Sequence, residues 1–383
     1  MNREPTYQAA RAVAATVADH FRRHIGAARA QGEEQLAPEP DEPTIAAIID
    51  AAFWASLRRE EGLSPKLSLA FVPPEEVEQP IVFEHRLALT TNFLIKLAPA
   101  VERPEIHLGV WCEDGELYVW GATRAVPSFC FVLEVVEPGL LVIKHRRIDG
   151  FGKFANVAVL KGEQVKVIDE NGTSLPDCPE LLTSLLAFTS PAGWEQGHES
   201  VNLLVQLAAS MRAHGHGGLL LVIPAGTEKW RESIVHPILY SVVPPFTGLT
   251  DLMAQDEEQQ SERLWQAAMR RAVDTVAGLT AVDGATVISD QYELLAFGAK
   301  IRRASGSPQV EEIIITEPIV GDRAEMVHPG QTGGTRHFSA AQFVFDCRDA
   351  IAMVASVDGR FTIFAWSPCE NMVHAHRVDS LLL

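Results

Sequence analysis

The chain has 383 residues, 47% hydrophobic and 21% charged, with 32 Lys and Arg against 50 Asp and Glu for a formal net charge of -18. The apolar content supports packed cores and excludes global disorder, and the length points to two domains. The acidic balance argues against duplex nucleic acid and anionic membranes as partners, yet leaves room for a mononucleotide, which needs only a few cations.

Residues Thr6 to Ala30 read as a helix, with Ala10, Val13, Val17, Phe21 and Ile25 at helical spacing. Gln31 to Pro43 is acidic and proline-rich and reads as a solvated linker. Thr44 to Glu61 is a second helical pattern with Thr44 as a candidate cap. These helices are expected to pack on the body or on a second copy, with a structural N-terminal cap as the favoured reading. From Pro65 to Asp177 the pattern changes to hairpins: His107 to Cys112 with Glu116 to Trp120, Ser128 to Val136 with Leu140 to Arg146, and Asn156 to Leu160 with Gln164 to Ile168, each pair flanking a turn that contains glycine. The aromatic residues of this region alternate as core strand residues do, and no chemistry stands out.

The C-terminal half alternates helices and strands. A helix is expected over Glu199 to His214, a strand over Leu219 to Ile223 and a long helix over Gln255 to Leu279. A hairpin follows from Ala285 to Ser289 and Glu293 to Ala299. Ile313 to Thr316 is a candidate extra strand, Ser339 to Cys347 a helix, and Ala350 to Ser356 with Phe361 to Ala365 a last hairpin. The expected division is residues 1–62, N-terminal helices and linker; 63–195, an α+β hairpin-rich domain and candidate sensor; and 196–383, an α/β domain with a mixed sheet. No convincing internal repeat shows, although two hairpin-rich halves leave room for an eroded one.

Five cysteines, Cys112, Cys130, Cys178, Cys347 and Cys369, are scattered without a C-x-x-C pair. Neither a zinc site nor a disulfide framework is suggested, and a reducing cytoplasm fits best. The N-terminus has no signal-peptide core and no apolar run reaches membrane length, so a soluble cytoplasmic protein is expected.

Two short stretches carry chemistry. Asp283-Gly284-Ala285 sits in an apolar run, and Gly334-Thr335-Arg336-His337 precedes Phe338-Ser339 at the start of a helix. An arginine and turn amides can take phosphate oxygens, and an aspartate can hold a metal or a hydroxyl. With the helix that leads into Gly218-Leu219-Leu220-Leu221-Val222-Ile223 and the strand ending at Ser356, these stretches resemble the diadenylate cyclase domain over residues 199–367. That resemblance implies condensation of two ATP to cyclic di-AMP and pyrophosphate, with Mg²⁺ or Mn²⁺, across two domains brought face to face. It places Asp283 on the metal and the 3′-hydroxyl. Gly284 and Ala285 fall beside the nucleotide, and Gly334, Thr335, Arg336, His337, Ser339 and Ser356 on the phosphates.

Phe338 stands where the family usually has a second arginine, and Val357 where it usually has an acidic residue. These departures keep a second function open, a nucleotide sensor that signals through the N-terminal half; a vestigial site on a scaffold is a third. Elsewhere, His374 and His376 share a strand face but have no third ligand nearby in sequence. His214 and His216 read as a loop pair, Gly330 to Gly334 as turn glycines without a P-loop ending, and Arg302-Arg303 as a solvated strand end.

Overall fold

The computed structural model describes residues 6–59, 62–103, 105–148, 154–170, 203–255 and 263–383. They form two compact units, the first running to Glu170 and the second from Leu203 to Leu382. Cys178, the boundary expected at 195/196 and the helix start expected at Glu199 lie outside the described residues.

The first unit opens with α1 (Gln8–Ala30) and α2 (Glu42–Ser56). The apolar residues at helical spacing on α1, Val13, Val17, Phe21 and Ile25, are all buried. The cap of α2 is Asp41 rather than Thr44: its carboxylate accepts from the Thr44 N–H at 2.9 Å, and Pro43 occupies the first turn. The stretch read as a solvated linker is anchored at its centre. Ala37 is buried and donates its N–H to Ser128 O at 2.8 Å, because Leu36 and Ala37 supply apolar surface within the acidic run.

There follow β1 (Leu67–Phe71), β2 (Ile81–Ala88), α3 (Thr91–Val101), β3 (His107–Glu113), β4 (Glu116–Thr123), β5 (Phe131–Glu137), β6 (Leu140–Arg146), β7 (Phe154–Lys161) and β8 (Gln164–Val167). Among the described residues these strands form one sheet in the order β2-β4-β3-β1-β5-β6-β7-β8. The hairpins legible in the sequence are β3/β4, β5/β6 and β7/β8. The first turns through Asp114 and Gly115, both at positive φ, as a tight hairpin requires. The sheet is mixed, because β1 runs parallel to β3. That pairing escaped the hairpin pattern, since a parallel partner needs the crossover that β2 and α3 provide. Residues of α1, α2 and α3 share one apolar core with Leu69, Leu108, Leu133 and Ile143, so the N-terminal helices belong to this unit's core.

The second unit contains α4 (Leu203–Ala213), β9 (Gly218–Ile223), β10 (Tyr240–Phe246), α5 (Gly248–Met253), α6 (Arg263–Leu279), β11 (Ala285–Ser289), β12 (Leu294–Ala299), β13 (Ile313–Thr316) and β14 (Glu325–Val327). It ends with α7 (Thr335–Asp346), β15 (Ile351–Ala355), β16 (Phe361–Ser367) and β17 (Met372–Arg377). The sheet order is β10-β12-β11-β9-β15-β16-β17-β13-β14. Strand β9 is apolar and buried at every position, as a central strand covered on both faces must be. Both units are therefore α/β structures built on mixed sheets.

The two sheets follow one connectivity. In each, a helix precedes a central strand (β1, β9), an edge strand follows (β2, β10), and helical chain leads to a strand parallel to the first (β3, β11). That strand's hairpin partner (β4, β12) also pairs with the edge strand. A second group, β5-β6-β7 or β15-β16-β17, then pairs antiparallel on the other side of the central strand. The repeat hidden in the sequence is thus a repeat of topology. The units differ where β13, β14 and α7 are inserted between β12 and β15, since the first unit joins β4 to β5 directly through residues 124–130. The sheet face that α7 covers in the second unit carries only a small cluster in the first, formed by Ala70, Val72, Trp120, Val126, Cys130 and Val132. A cavity of about 390 Å³ lies on this side, lined by residues including Ser68, His107, Glu134, Lys144 and Phe154.

Candidate functional site

Because β9 and β11 are parallel, their N-terminal ends share one edge of the second sheet, and antiparallel β15 ends there. The register pairs Gly218 with Ala355 and Ala285 with Ala299. Three short segments consequently converge: Gly217 before β9, Asp283-Gly284 before β11, and the Ser356 to Gly359 turn after β15. The N-terminus of α7 joins them through Arg336. A Cβ built on Gly217, at φ +70°, would stand 3.2 Å from Arg336 Nη1 and 3.3 Å from both Ala355 O and Val357 Cγ2. The guanidinium therefore lies over the mouth of β9 and β15.

Asp283 projects from this edge with 93% of its side chain exposed and pairs with Lys300 Nζ at 2.5 Å. The Lys300 hydrogen bond and charge hold its carboxyl below the usual carboxylate range, and the Arg336 charge acts in the same direction. Asp283 and Arg336, distant in sequence, thus share one field. Lys300 was missed in the sequence, although the β11/β12 hairpin contained the signal: pairing Ala285 with Ala299 carries the next residue to the side of Asp283.

Gly284 sits at φ +127°, and a Cβ there would lie 2.4 Å from Gly298 C and 2.6 Å from Gly298 O. Its lack of a side chain is required by the neighbouring strand, whereas the resemblance had placed it beside a nucleotide. Ala285 is fully buried and points into the core, so only its backbone reaches the edge. Gly334 is the N-cap of α7, with no side-chain cap and no acidic residue in the first turn. The helix dipole and its first amides are left to act on an anion. Thr335 is exposed there, and Ser339 lies half-buried one turn further on.

His337 differs from its expected role. Its ring is buried and Nε2 lies 3.4 Å from Thr362 Oγ1, while a Cβ on Gly333 would meet its Nδ1 at 2.3 Å. Burial pushes its pKa down to about 4, the neighbouring Asp358 acting in the opposite sense. At neutral pH it is an uncharged support beneath α7 and offers no cation to phosphates. Phe338 is half-buried, 6.2 Å from the His328 ring. Ser356 lies in the turn after β15, where its N–H donates to Arg360 O at 2.9 Å. Arg302 donates Nε to Glu232 O and remains exposed.

The remaining histidine pairs are structural. His376 Nδ1 lies 2.8 Å from Thr316 Oγ1, and burial drives its pKa down to about 3. Among the described residues, His374 and His376 gather no third metal ligand. His214 Nε2 lies 3.2 Å from Thr280 Oγ1, and its Nδ1 accepts from the His216 N–H. Mg²⁺ is usually held by one or two carboxylates together with substrate phosphates. The exposed Asp283 carboxylate would fit that donor set with a nucleotide present once Lys300 leaves it.

Residues 34–124 match the family model described as "Probable sensor domain DACNV". The match lies in the first unit, spans less than half the chain and leaves the Asp283–Arg336 edge outside it. A solved structure of a double-cysteine mutant of DacA from Staphylococcus aureus is similar at 13% identity, over 45% of this chain and 83% of that one, with a TM-score of 0.24. No curated protein matches the sequence. Among the described residues, no helix is long and apolar enough to cross a membrane.

Proposed function

We propose that the second unit binds ATP at the Asp283–Arg336 edge and that two copies, placed face to face, condense two ATP to cyclic di-AMP, each 3′-hydroxyl attacking the α-phosphorus of the facing ATP and displacing one pyrophosphate, two in all. The observation that carries this reading is the meeting of Asp283 and Arg336 at one sheet edge, with the N-terminus of α7 beside them. Arg336 and the first amides of α7 would take phosphate oxygens, and Lys300 would turn from Asp283 to the leaving pyrophosphate. Asp283, kept ionised, would position the 3′-hydroxyl and hold Mg²⁺ or Mn²⁺. The ion would offset phosphate charge. Each copy would hold one ATP, so the reaction would need a second copy, and the exposure of Asp283 leaves the edge open to one.

A second reading, nucleotide binding without turnover, is favoured by the Lys300–Asp283 pair, which places an ammonium where the carboxylate would meet a metal. The sensor-domain match in the first unit fits this reading too. Incubation with ATP and Mn²⁺ or Mg²⁺, followed by mass spectrometry of the products, separates the two. Cyclic di-AMP that disappears with Asp283→Asn supports the cyclase. Unchanged ATP with binding still seen by calorimetry supports the sensor, and no binding at millimolar ATP would overturn both.

A further inference from the structure

The first unit contains a buried cluster that neither function uses. His20 and His24, one turn apart on α1, present their rings on the same side, stacked with centroids 4.1 Å apart. The Glu170 carboxylate, just beyond β8, bridges them: Oε1 lies 2.8 Å from His20 Nδ1 and Oε2 lies 2.9 Å from His24 Nε2. Donor atoms from these three residues all fall within 4.8 Å of one another. A third histidine, His145 on β6, has its ring centroid 5.3 Å from that of His20 and 5.6 Å from that of His24.

This cluster is unusual in its enclosure. His20, His24 and His145 are 5%, 2% and 3% exposed. Neither nitrogen of His145 has a hydrogen-bond partner among the described residues, and the same holds for His20 Nε2 and His24 Nδ1. Phe129 stacks flat on the His145 ring at 5.0 Å and Phe21 stands edge-on to it, so the pocket wall is apolar. Burying several imidazole nitrogens without partners is costly, and each such group calls for an explanation. A metal ion held on the Glu170 side by His20 Nδ1 and His24 Nε2 would give one His145 nitrogen a partner, while His20 Nε2 and His24 Nδ1 stay against the apolar wall.

We propose that His20, His24 and Glu170 bind a divalent transition metal of the zinc class, with His145 supplying the fourth donor. Two histidines at i and i+4 on one helix face are the spacing that helix-borne zinc sites use. Bonds of about 2.0–2.1 Å in a tetrahedron place donor atoms about 3.3 Å apart. The present 2.9 Å contact of His24 Nε2 with Oε2 is a hydrogen bond, and His20 Nδ1 lies 2.8 Å from Oε1. Placing one ion between them asks His20, His24 and Glu170 to move slightly outward, and asks His145, which lies outside the group of donors within 4.8 Å of one another, to swing inward. The nitrogen and carboxylate set suits zinc and its neighbours better than Mg²⁺ or Ca²⁺, which select oxygen donors. The ion would tie α1 to β6 and to the end of the unit.

The test uses the full chain, stripped with a chelator and titrated with Zn²⁺ and with Co²⁺. The expected result is one equivalent of tight zinc, a raised melting temperature, and intense visible Co²⁺ absorption of the tetrahedral type. His24→Gln should lower zinc affinity at least 100-fold, and His145→Phe should lower it and change the Co²⁺ spectrum. Both variants are checked for folding by circular dichroism before titration. If His24→Gln does not fold, Glu170→Gln serves in its place. Absence of stoichiometric zinc and of a tetrahedral Co²⁺ spectrum in the unsubstituted protein would overturn the proposal. Equal zinc affinity in a folded His24→Gln or Glu170→Gln variant would do the same, since the ion would then sit elsewhere.

Discussion

Replacing Gly284 with alanine tests whether the glycine of the Asp-Gly-Ala turn serves the fold or a ligand. The added methyl would lie 2.4, 2.6 and 2.8 Å from Gly298 C, O and Cα, all of them backbone atoms, so no side-chain rotation relieves the overlap. Strand β12 would have to move away from β11. At φ +127° an alanine also bears a backbone penalty of about 1–3 kcal/mol. Forced overpacking adds about 1–3 kcal/mol. The total, about 2–6 kcal/mol, is a large share of the ~5–15 kcal/mol that holds a domain together. With a urea slope of about 2 kcal/mol per molar, the midpoint of the second unit should fall by about 1–3 M. Urea titration read by hydrogen exchange on β11 and β12 peptides measures this, with peptides from β5 and β6 as an internal reference. A shift below about 0.3 M would refute the reasoning. If stability held and only ATP binding fell, the glycine would be reserved for the nucleotide after all.

Arg336→Ala should weaken ATP about 10–100-fold by calorimetry, the loss of a charge-assisted phosphate contact worth about 1.5–3 kcal/mol, while leaving the melting temperature close to its original value. Unchanged affinity would remove the arginine from the site. His337 binds its proton only near pH 4 when folded, whereas an unfolded histidine does so near 6.5. Its neutral burial therefore contributes fully above about pH 6.5, and about 3 kcal/mol is lost as pH falls from there towards 4. His337→Asn should flatten that part of the acid-unfolding slope of the second unit, and an unaltered slope would contradict the assignment. Asp346 accepts from Ser307 Oγ at 2.5 Å, Ala304 N–H at 2.9 Å and Gln342 Nε2 at 3.0 Å. Asp346→Ala should cost about 2–4 kcal/mol and speed amide exchange over residues 304–310, with little effect on ATP binding. Exchange unaltered in that loop would show that other contacts hold it.

Hairpins and amphipathic helices were legible because their signals are local. Glu113-Asp114-Gly115, Glu137-Pro138-Gly139 and the helical spacing of Val13, Val17 and Phe21 each act within a few residues, and the structure uses all of them. The parallel pairing of β1 with β3 was not legible, since strand order is settled by which faces can be buried together. For the same reason the shared connectivity of the two units showed in the sequence only as two hairpin-rich halves: topology survives changes that keep strands apolar and turns in place.

The candidate site divides in the same way. Asp283 and Arg336 could be named from the sequence because their short motifs carry recognisable chemistry, but that they share one edge depends on β9, β11 and β15 ending there. The tertiary structure turned His337 inward, gave Gly284 a strand to pack against and brought Lys300 to Asp283. The His20–His24 spacing was open to view in a helix read only for its apolar face, while Glu170 and His145 became its partners through the packing of α1 on the sheet. Sequence alone determined the hairpins, the longer helices and which residues can do chemistry, because these depend on side chains and their near neighbours, while elements such as β1, β2, α3 and β10 went unread. Which of those residues meet was decided only by tertiary structure, because a meeting between distant residues is set by the burial of whole elements against each other.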